Sequence, residues 1–563
     1  MTDALFHRAT IWAAHDVDEN DAHALLRLVA QNDVVALTEQ VGGDLTFGTA
    51  GLRAAMAAGP NRMNRATVIR TTFAVAGWLH DKTADPHVVV GRDARHNSDT
   101  FMDDVVAVLV AAGVKVSRFV QPVPTPLVAF AQNYLSCDAA IVVTASHNPP
   151  KDNGYKLYGD GSAQIVAPDD QLIQQRIANA PYADEIPRHQ GTSELIVDVS
   201  DAVTDAYLDM VCGLHRAHSE NRPKVVYTPL HGVGADLFLA AARACGYDDV
   251  TVVASQAHPD PDFSTVTFPN PEEPGALDEA LALAHTSRAD VVVANDPDAD
   301  RLAIAVPDAT GTFRALTGNE IGVLLTDYLL EQAAVSRPLI VTTVVSTPMV
   351  DTTAKRHGAT VERTFTGFKW IARAAQARRE DGDTFVYGFE EALGSNVTQA
   401  VNDKDGISAA VVFLDLVTWL QARGETVPDR LETLGMLDGV WVSRQVSVVR
   451  DGVDGKQAIA EAMARLTASP PTQVLDRPVL AVNDYTVGGD TRPAWRGEDL
   501  LVELVFADGR VLVRPSGTEP KLKTYVDLAF TAHSRVDVAD VVAAGERDAL
   551  TTAQAVVDLL GIT

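Results

Sequence analysis

Along the first two-thirds of the chain, short β-branched runs alternate with stretches of helical periodicity, the pattern of βαβ units and parallel sheets. One unit contains the strand-like runs HVVVGRD (87–93), VKVSRFV (114–120) and AAIVVTAS (139–146). Between the first two, Ser98 to Ala112 predicts a helix capped by Ser98 and stopped by Gly113. A second unit runs from KVVYTPL (224–230) through TVVAS (251–255) to VVVANDPDADR (291–301), and a third from LIVTTVVST (339–347) through TVERTFTG (360–367) to TFVYGFEEALG (384–394). Each unit ends in an apolar strand that runs into a polar, turn-rich loop. In open α/β sheets ligands bind beyond the carboxyl ends of strands, so three such loops point to one shared cleft.

The tail follows a different pattern. LLVELVFADGRVLVRPS predicts two strands joined at Asp508 and Gly509, a hairpin signal. KLKTYVDLAF reads as another strand and the residues from about Val536 as a helix, giving an antiparallel α+β domain. The stretch from Gly439 to about Pro478 reads as a junction with its own helix, and residues 1–40 as a helical extension. The expected divisions are therefore 1–40, 41–205, 206–320, 321–440 and 441–563.

Composition changes this picture little, but charge narrows the function. With 563 residues the chain is too long for a single core. Forty-six basic against seventy-five acidic residues give a net charge of −29, which argues against nucleic acid or an anionic membrane as partner. A small anionic substrate then requires a basic cleft inside an acidic exterior. The three cysteines, Cys137, Cys212 and Cys245, are scattered along the sequence, imply no disulfide framework and fit a reducing compartment. The opening MTDALFHRATIWAAHDVDEND carries charges and no long apolar run, so neither a secretory signal nor a membrane span is expected and the location is read as cytoplasmic. Oligomeric state is not legible.

Four loops carry candidate chemistry. TASHNPP (144–150) places Ser146 just past a buried strand, in a turn set by Asn148 and two prolines. There is no Gly-x-Ser-x-Gly elbow, and His147, as a sequence neighbour, is expected to point away from Ser146, so a serine–histidine hydrolase is not supported. DPDADR (296–301) spaces Asp296, Asp298 and Asp300 by two, which in extended backbone sends all three to one side. Like charges converging in this way call for a cation, and oxygen ligands alone suit Mg²⁺. An EF-hand is excluded, because Arg301 and Pro307 stand where that loop needs Gly and Glu. RPSGTEPK (514–521) offers a guanidinium, hydroxyls and backbone N–H groups suited to phosphate. GFEEALG (388–394) presents Glu390 and Glu391 at a strand end, either for sugar hydroxyls or as ordinary surface acids, and Lys404 in KDG (404–406) is a similar case. GDLTFG (43–48) has P-loop glycine spacing, but Thr49 occupies the place of the required lysine.

Together, and in this order, the four loops resemble the α-D-phosphohexomutase family of phosphoglucomutases and phosphomannomutases over roughly residues 42 to 530. The resemblance implies three similar βαβ-type domains with mixed sheets and a C-terminal antiparallel α+β domain in a heart-shaped, four-domain arrangement. It implies that Ser146 is phosphorylated and that its oxygen joins Asp296, Asp298 and Asp300 around Mg²⁺, with Arg301 beside it. Arg53, closing FGTAGLR (47–53), matches a basic residue near that serine, while Lys156 in NGYK (153–156) and Lys404 match candidates for proton transfer, not ranked. Glu390 is implied to bind sugar hydroxyls, and Arg514, Ser516 and Thr518 the substrate's non-transferring phosphate. A sugar 1,6-bisphosphate is the implied activator.

The sequence also departs from the family. Many relatives read Gly-Glu-x-Ser in the sugar loop, whereas Phe389 precedes Glu390 here and Ala392 replaces the serine. Gly394 stands where bifunctional bacterial members carry a histidine. FPNPEEPG (268–275), LTGNE (316–320) and TGFKW (366–370) look more like the branch containing phosphopentomutase and glucose-1,6-bisphosphate synthase. The expected reaction is interconversion of glucose 1-phosphate and glucose 6-phosphate through a bisphosphate, with mannose or pentose phosphates as alternatives within the family. Two readings outside it are a metal-dependent sugar phosphatase and a non-catalytic sugar-phosphate sensor.

Overall fold

The computed structural model describes residues 2–48, 51–216, 219, 221–450, 452–516 and 521–562, with only the backbone at 452–454. The chain divides into two compact units: Met1–His215 with Arg222–Ala315 and Thr398–Val412, and Arg216–Asn221 with Leu316–Val397 and Phe413–Thr563.

The first unit is built on two mixed sheets with the same internal topology. In one, His87–Arg92 lies between Lys115–Arg118 and Ala139–Val143, parallel to both, and Asp152–Tyr158 returns antiparallel on Ala139–Val143. In the other, Val225–Thr228 lies between Val250–Val252 and Val291–Ala294, and Ala303–Pro307 returns on the latter. The parallel strands need crossovers, supplied by helices such as Ser98–Ala111 and Ala235–Ala244. Helices cover the sheet faces, which is why Ala139–Val143 is apolar at every position and buried throughout. Helices Thr2–Ala14, Glu19–Gln31 and Val34–Val41 bury Trp12, Leu25 and Leu37 against Ala66, Ile69 and Val108, so the helical extension shares a core with the first sheet's helices.

The second unit repeats the topology once more. Pro338–Thr343 lies between Thr360–Thr364 and Thr384–Glu390, parallel to both, and Gly394–Asn396 returns antiparallel. Its last sheet is wholly antiparallel, in the order Val440–Val449, Lys521–Phe530, Gly509–Pro515, Val502–Phe506, Ala481–Asp484. Helices Gly452–Ala468 and Arg535–Leu559 contribute Ala462, Met463, Leu466, Ala553 and Val556 to its core.

Two local expectations are corrected. Ser98 does not cap its helix: it is the first helical residue, Asn97 at the cap makes no side-chain capping bond, and Ser98 Oγ donates instead to Asp93 Oδ1 at 2.6 Å. The stretch after Gly439 does hold a helix, but it opens with the ten-residue strand Val440–Val449, an edge of the fourth sheet. Polar residues recur along that strand because only one of its faces meets the core.

Within the second unit, one buried carboxylate ties several elements together. Asp327, on helix Gly318–Gln332, accepts from Arg356 Nη2 at 2.9 Å and Arg430 Nε at 2.9 Å, and pairs with His357 Nε2 at 2.9 Å. Burial alone would raise its pKa, but His357, Arg430 and Arg356 outweigh it and hold the carboxyl below its ordinary value. Asp327→Asn leaves two arginines facing a neutral amide and is expected to destabilise the fold by about 3 kcal/mol, read from the denaturant midpoint. A depressed pKa stabilises above the unfolded carboxyl's range and is lost as pH falls through the folded value. The gap between wild type and variant should therefore be full at neutral pH and close only in strong acid.

Candidate active site

Strand Ala139–Val143 ends at a serine held in an uncommon backbone conformation. Ser146 is 1% exposed and lies in the left-handed region at φ 53°, where non-glycine residues are rare and point to function. Its N–H donates to Thr144 Oγ1 at 2.9 Å. The loop around it is clamped from below by Arg95, a buried residue that sequence reasoning missed. Arg95 Nη2 donates to Ser146 O at 2.6 Å and Asn148 O at 2.5 Å, and Nη1 to Pro149 O at 2.8 Å and Asp152 O at 3.1 Å. A guanidinium is suited to gathering several carbonyls of one turn. The available signal is GRDAR at 91–95, an arginine just past the first of the sheet's parallel strands.

The aspartate loop takes a different shape from the one expected. Residues 296–301 form a tight turn rather than extended backbone, with Ala299 at φ 56° and its N–H donating to Asp296 O at 2.8 Å. The carboxylates converge all the same: Asp296, Asp298 and Asp300 are fully buried, and one oxygen of each lies within 4.8 Å of the others. Close packing from a separate loop supports the turn. A Cβ on Gly232 would lie 2.3 Å from both Pro297 Cα and Pro297 O, so only glycine permits that approach.

The two loops meet at the serine hydroxyl. Ser146 Oγ donates to Asp296 Oδ2 at 2.7 Å. His147, expected to point away, instead places Nδ1 3.1 Å from Ser146 Oγ, because the left-handed turn brings the neighbouring side chain round. Its Nε2 lies 3.3 Å from Arg301 Nη2. Arginine can only donate, so Nε2 accepts, the proton sits on Nδ1, and His147 donates toward Ser146 rather than accepting its proton. Burial, then Arg301 and Arg53, push the His147 pKa well below its ordinary value, so the ring is neutral. A hydrolase dyad remains unsupported, now on geometric grounds.

Both candidate lysines reach this cluster. Lys156, fully buried on strand Asp152–Tyr158, places Nζ 2.6 Å from Asp298 Oδ2 and 2.7 Å from Asp300 Oδ2. Lys404 Nζ lies 3.3 Å from Asp300 Oδ2 and 3.4 Å from Asp403 Oδ1. Burial would lower the Lys156 pKa, but Asp298 and Asp300 outweigh it and hold the ammonium charged. Asp300 is in turn held far below its usual range, Lys156 and Lys404 overcoming burial. Among the described residues no lysine pairs with Asp296: burial, with Asp298 and Asp300 beside it, pushes its carboxyl up to about 8. Thr125 Oγ1 donates to Asp298 Oδ2 at 2.6 Å. Arg53 pairs with Gly154 across the neighbouring strand, and its buried Nε has no hydrogen-bond partner among the described residues.

Asp298 Oδ1 and Asp300 Oδ1 are likewise buried and without a hydrogen-bond partner among the described residues. Two orphaned carboxylate oxygens, with Asp296 and the serine oxygen beside them, are a hard, all-oxygen donor set that fits a divalent cation such as Mg²⁺. Lys156 shares the same two carboxylates with any cation bound there.

The remaining predicted residues lie in the second unit. Glu390 ends strand Thr384–Glu390 half-buried, in the same place within its repeat as the serine and aspartate loops in theirs. Glu391 is structural: its Oε2 accepts from Thr343 Oγ1 at 3.0 Å and Ser346 Oγ at 3.3 Å. Arg514, on Gly509–Pro515, has Nε 3.2 Å from Asp499 Oδ2, and Ser516 N donates to Lys521 O at 2.7 Å. Thr518 lies outside the described residues.

Models of the phosphoglucomutase/phosphomannomutase family match in order: alpha/beta/alpha domain I at 44–184, domain II at 205–311, domain III at 317–437 and the C-terminal domain at 473–544. A Haemophilus influenzae protein named "Probable phosphomannomutase" is 39% identical, over 83% of this chain and 93% of its own. A Staphylococcus haemolyticus phosphoglucomutase is 34% identical over 86% and 90%. Human phosphopentomutase is 32% identical over 92% and 90%. Parafusin, a Paramecium phosphoglucomutase solved in an open form, shares the fold with a TM-score of 0.70 at 18% identity, over 92% of this chain and 97% of that one. Among the described residues no helix is long and apolar enough to cross a membrane. With four domains matched in sequence order and relatives aligned over most of their length, the chain belongs to the phosphoglucomutase/phosphomannomutase family of α-D-phosphohexomutases and is an isomerase of sugar phosphates.

Proposed function

We propose that the chain interconverts glucose 1-phosphate and glucose 6-phosphate, with Ser146 carrying the phosphoryl group between the two ends of the sugar. The observation that carries this reading is the buried Ser146 hydroxyl, 2.7 Å from one of three converged aspartates, two of which hold an unpartnered oxygen. Asp296, Asp298, Asp300 and the Ser146 oxygen would hold Mg²⁺, which when bound supplies positive charge to offset that of a phosphoryl group.

The residues then divide the work by their charge. Ser146, once phosphorylated, donates its phosphoryl group to the free hydroxyl of a bound monophosphate. The resulting 1,6-bisphosphate turns over and returns its other phosphate, so that a sugar 1,6-bisphosphate also serves as activator. Phosphoryl transfer depends on positioning and electrostatics, and Arg53, with its buried unpartnered Nε, and Arg301 are the cations suited to the group on Ser146. Arg95, bonded to four carbonyls of the loop, fixes where the serine oxygen sits. Lys156 and Lys404 are the proton-transfer candidates. Lys156, held as an ammonium by Asp298 and Asp300, starts in the form that can give a proton, and Lys404, between Asp300 and Asp403, reaches the same cluster. Glu390 is assigned to sugar hydroxyls, and Arg514, Ser516 and Thr518 to the phosphate that does not transfer.

Glucose is preferred because Glu390 is retained for hydroxyl contacts while Ala392 and Gly394 add no polar demand for another stereoisomer. A pentose reading is favoured by one observation, the 32% likeness to human phosphopentomutase over 92% of this chain. Coupled isomerisation assays on glucose, mannose and ribose 1-phosphates decide between them. Glucose is expected to give the highest kcat/KM, and a ribose value far above it would overturn the choice.

Wild-type protein should carry phosphate on Ser146, seen by peptide mass spectrometry and removed by excess sugar monophosphate. Ser146→Ala should lose several orders of magnitude in isomerisation rate. A phosphatase would instead release inorganic phosphate and hold the modification only in passing; a sensor would never carry it. For the cation, Asp298→Asn keeps the size but removes one charge, so turnover should fall at least ~100-fold while circular dichroism stays unchanged. Exhaustive chelation of wild type should match it, with Mg²⁺ restoring activity in wild type alone.

A further inference from the structure

Two of the three cysteines, far apart in sequence, meet in the folded chain. Cys212 lies near the end of helix Asp201–Leu214, Cys245 caps the end of helix Ala235–Ala244, and their Sγ atoms are 3.4 Å apart. Neither is in a disulfide; Cys245 is buried and Cys212 is partly exposed. A disulfide needs the sulfurs at about 2.05 Å, so closure requires a movement of about 1.4 Å. Cys245 sits where its helix already ends, and the next residue, Gly246, adopts φ 80°, so this movement unwinds no helical turn.

We propose that Cys212 and Cys245 form a reversible intramolecular disulfide, a modification site whose co-reactant is a low-molecular-weight disulfide such as oxidised glutathione. The exposure difference sets the order. The Cys212 thiol gives its proton to water, and the thiolate attacks one sulfur of the small disulfide; one small thiolate leaves and a mixed disulfide forms. Cys245 then loses its proton and attacks Cys212 Sγ, expelling the second small thiolate. Both leaving groups take up protons, so two protein thiols and one small disulfide become one protein disulfide and two small thiols. Cys137 takes no part, since burial pushes its thiol up to about 12. The new bond closes a loop containing strand Val225–Thr228 and the Gly232 segment packed on Pro297, so it braces the support beneath the aspartate turn.

The test uses the folded full-length chain, equilibrated with graded ratios of oxidised to reduced glutathione, quenched by alkylation and mapped by mass spectrometry. Expected are the loss of two alkylatable thiols, a linked Cys212–Cys245 peptide, full reversal by dithiothreitol, and a melting temperature several degrees above that of the reduced form. Cys245→Ser should stop at a lasting glutathione adduct on Cys212. If folded wild type keeps both thiols at every ratio, or links them only between chains or only in denaturant, the pair is merely packed and the proposal is wrong. Wild type alone decides this, whatever the stability of the serine variant.

Discussion

Three carboxylates shut away from water and within a few ångströms of one another define what the rest of the first unit must do. At an effective dielectric of 20, any two of them carrying charge at this separation would repel by roughly 3–4 kcal/mol, before any cost of desolvation. The surrounding structure answers that repulsion residue by residue. Lys156 bridges Asp298 and Asp300, Lys404 adds a second ammonium to Asp300, Thr125 donates to Asp298, and Ser146 donates to Asp296. These partners come from different strands and loops, so the charge cluster and the tertiary fold are mutually dependent. The same burial would strengthen the hold on a divalent cation, because little water is there to screen it.

The repeat puts polar loops at equivalent places in each sheet. In all three mixed sheets the loop of interest joins the third parallel strand to the strand that turns back on it: 144–151, 295–302 and 391–393. That is the one place in the topology where a parallel strand ends in a tight return rather than a long crossover. Its geometry is set by hairpin pairing on both sides, which holds a side chain more firmly than a crossover loop can.

Much of this was legible in the sequence, for physical reasons. Strands buried on both faces must be apolar throughout, so AAIVV and VVVA stood out, and the polar loops after them could be read as strand ends. The carboxylates could be expected to converge, but by the wrong route: a turn with Ala299 in the left-handed region gathers them, and no alternation rule foresees that. His147 was misread for the same reason, since neighbouring side chains diverge only where the backbone between them is extended. Arg95 is not legible as a clamp because its contacts to the serine loop are carbonyl oxygens, which leave no mark on residue identity. Val440–Val449 was passed over because an edge strand with one dry face contains too many polar residues to look like one.

Gly232 touches no carboxylate, bears no functional group and would draw no attention in a list of active-site residues. Yet the aspartate turn rests on its bare Cα, and any side chain there would drive into Pro297. The information that shapes the cluster is thus partly stored in a residue with no chemistry to contribute, some sixty positions upstream of the turn. In a saturation scan scored by growth, such a site is indistinguishable from a catalytic one. Intolerance to substitution in this protein marks shape as readily as reactivity, and only a structure tells the two apart.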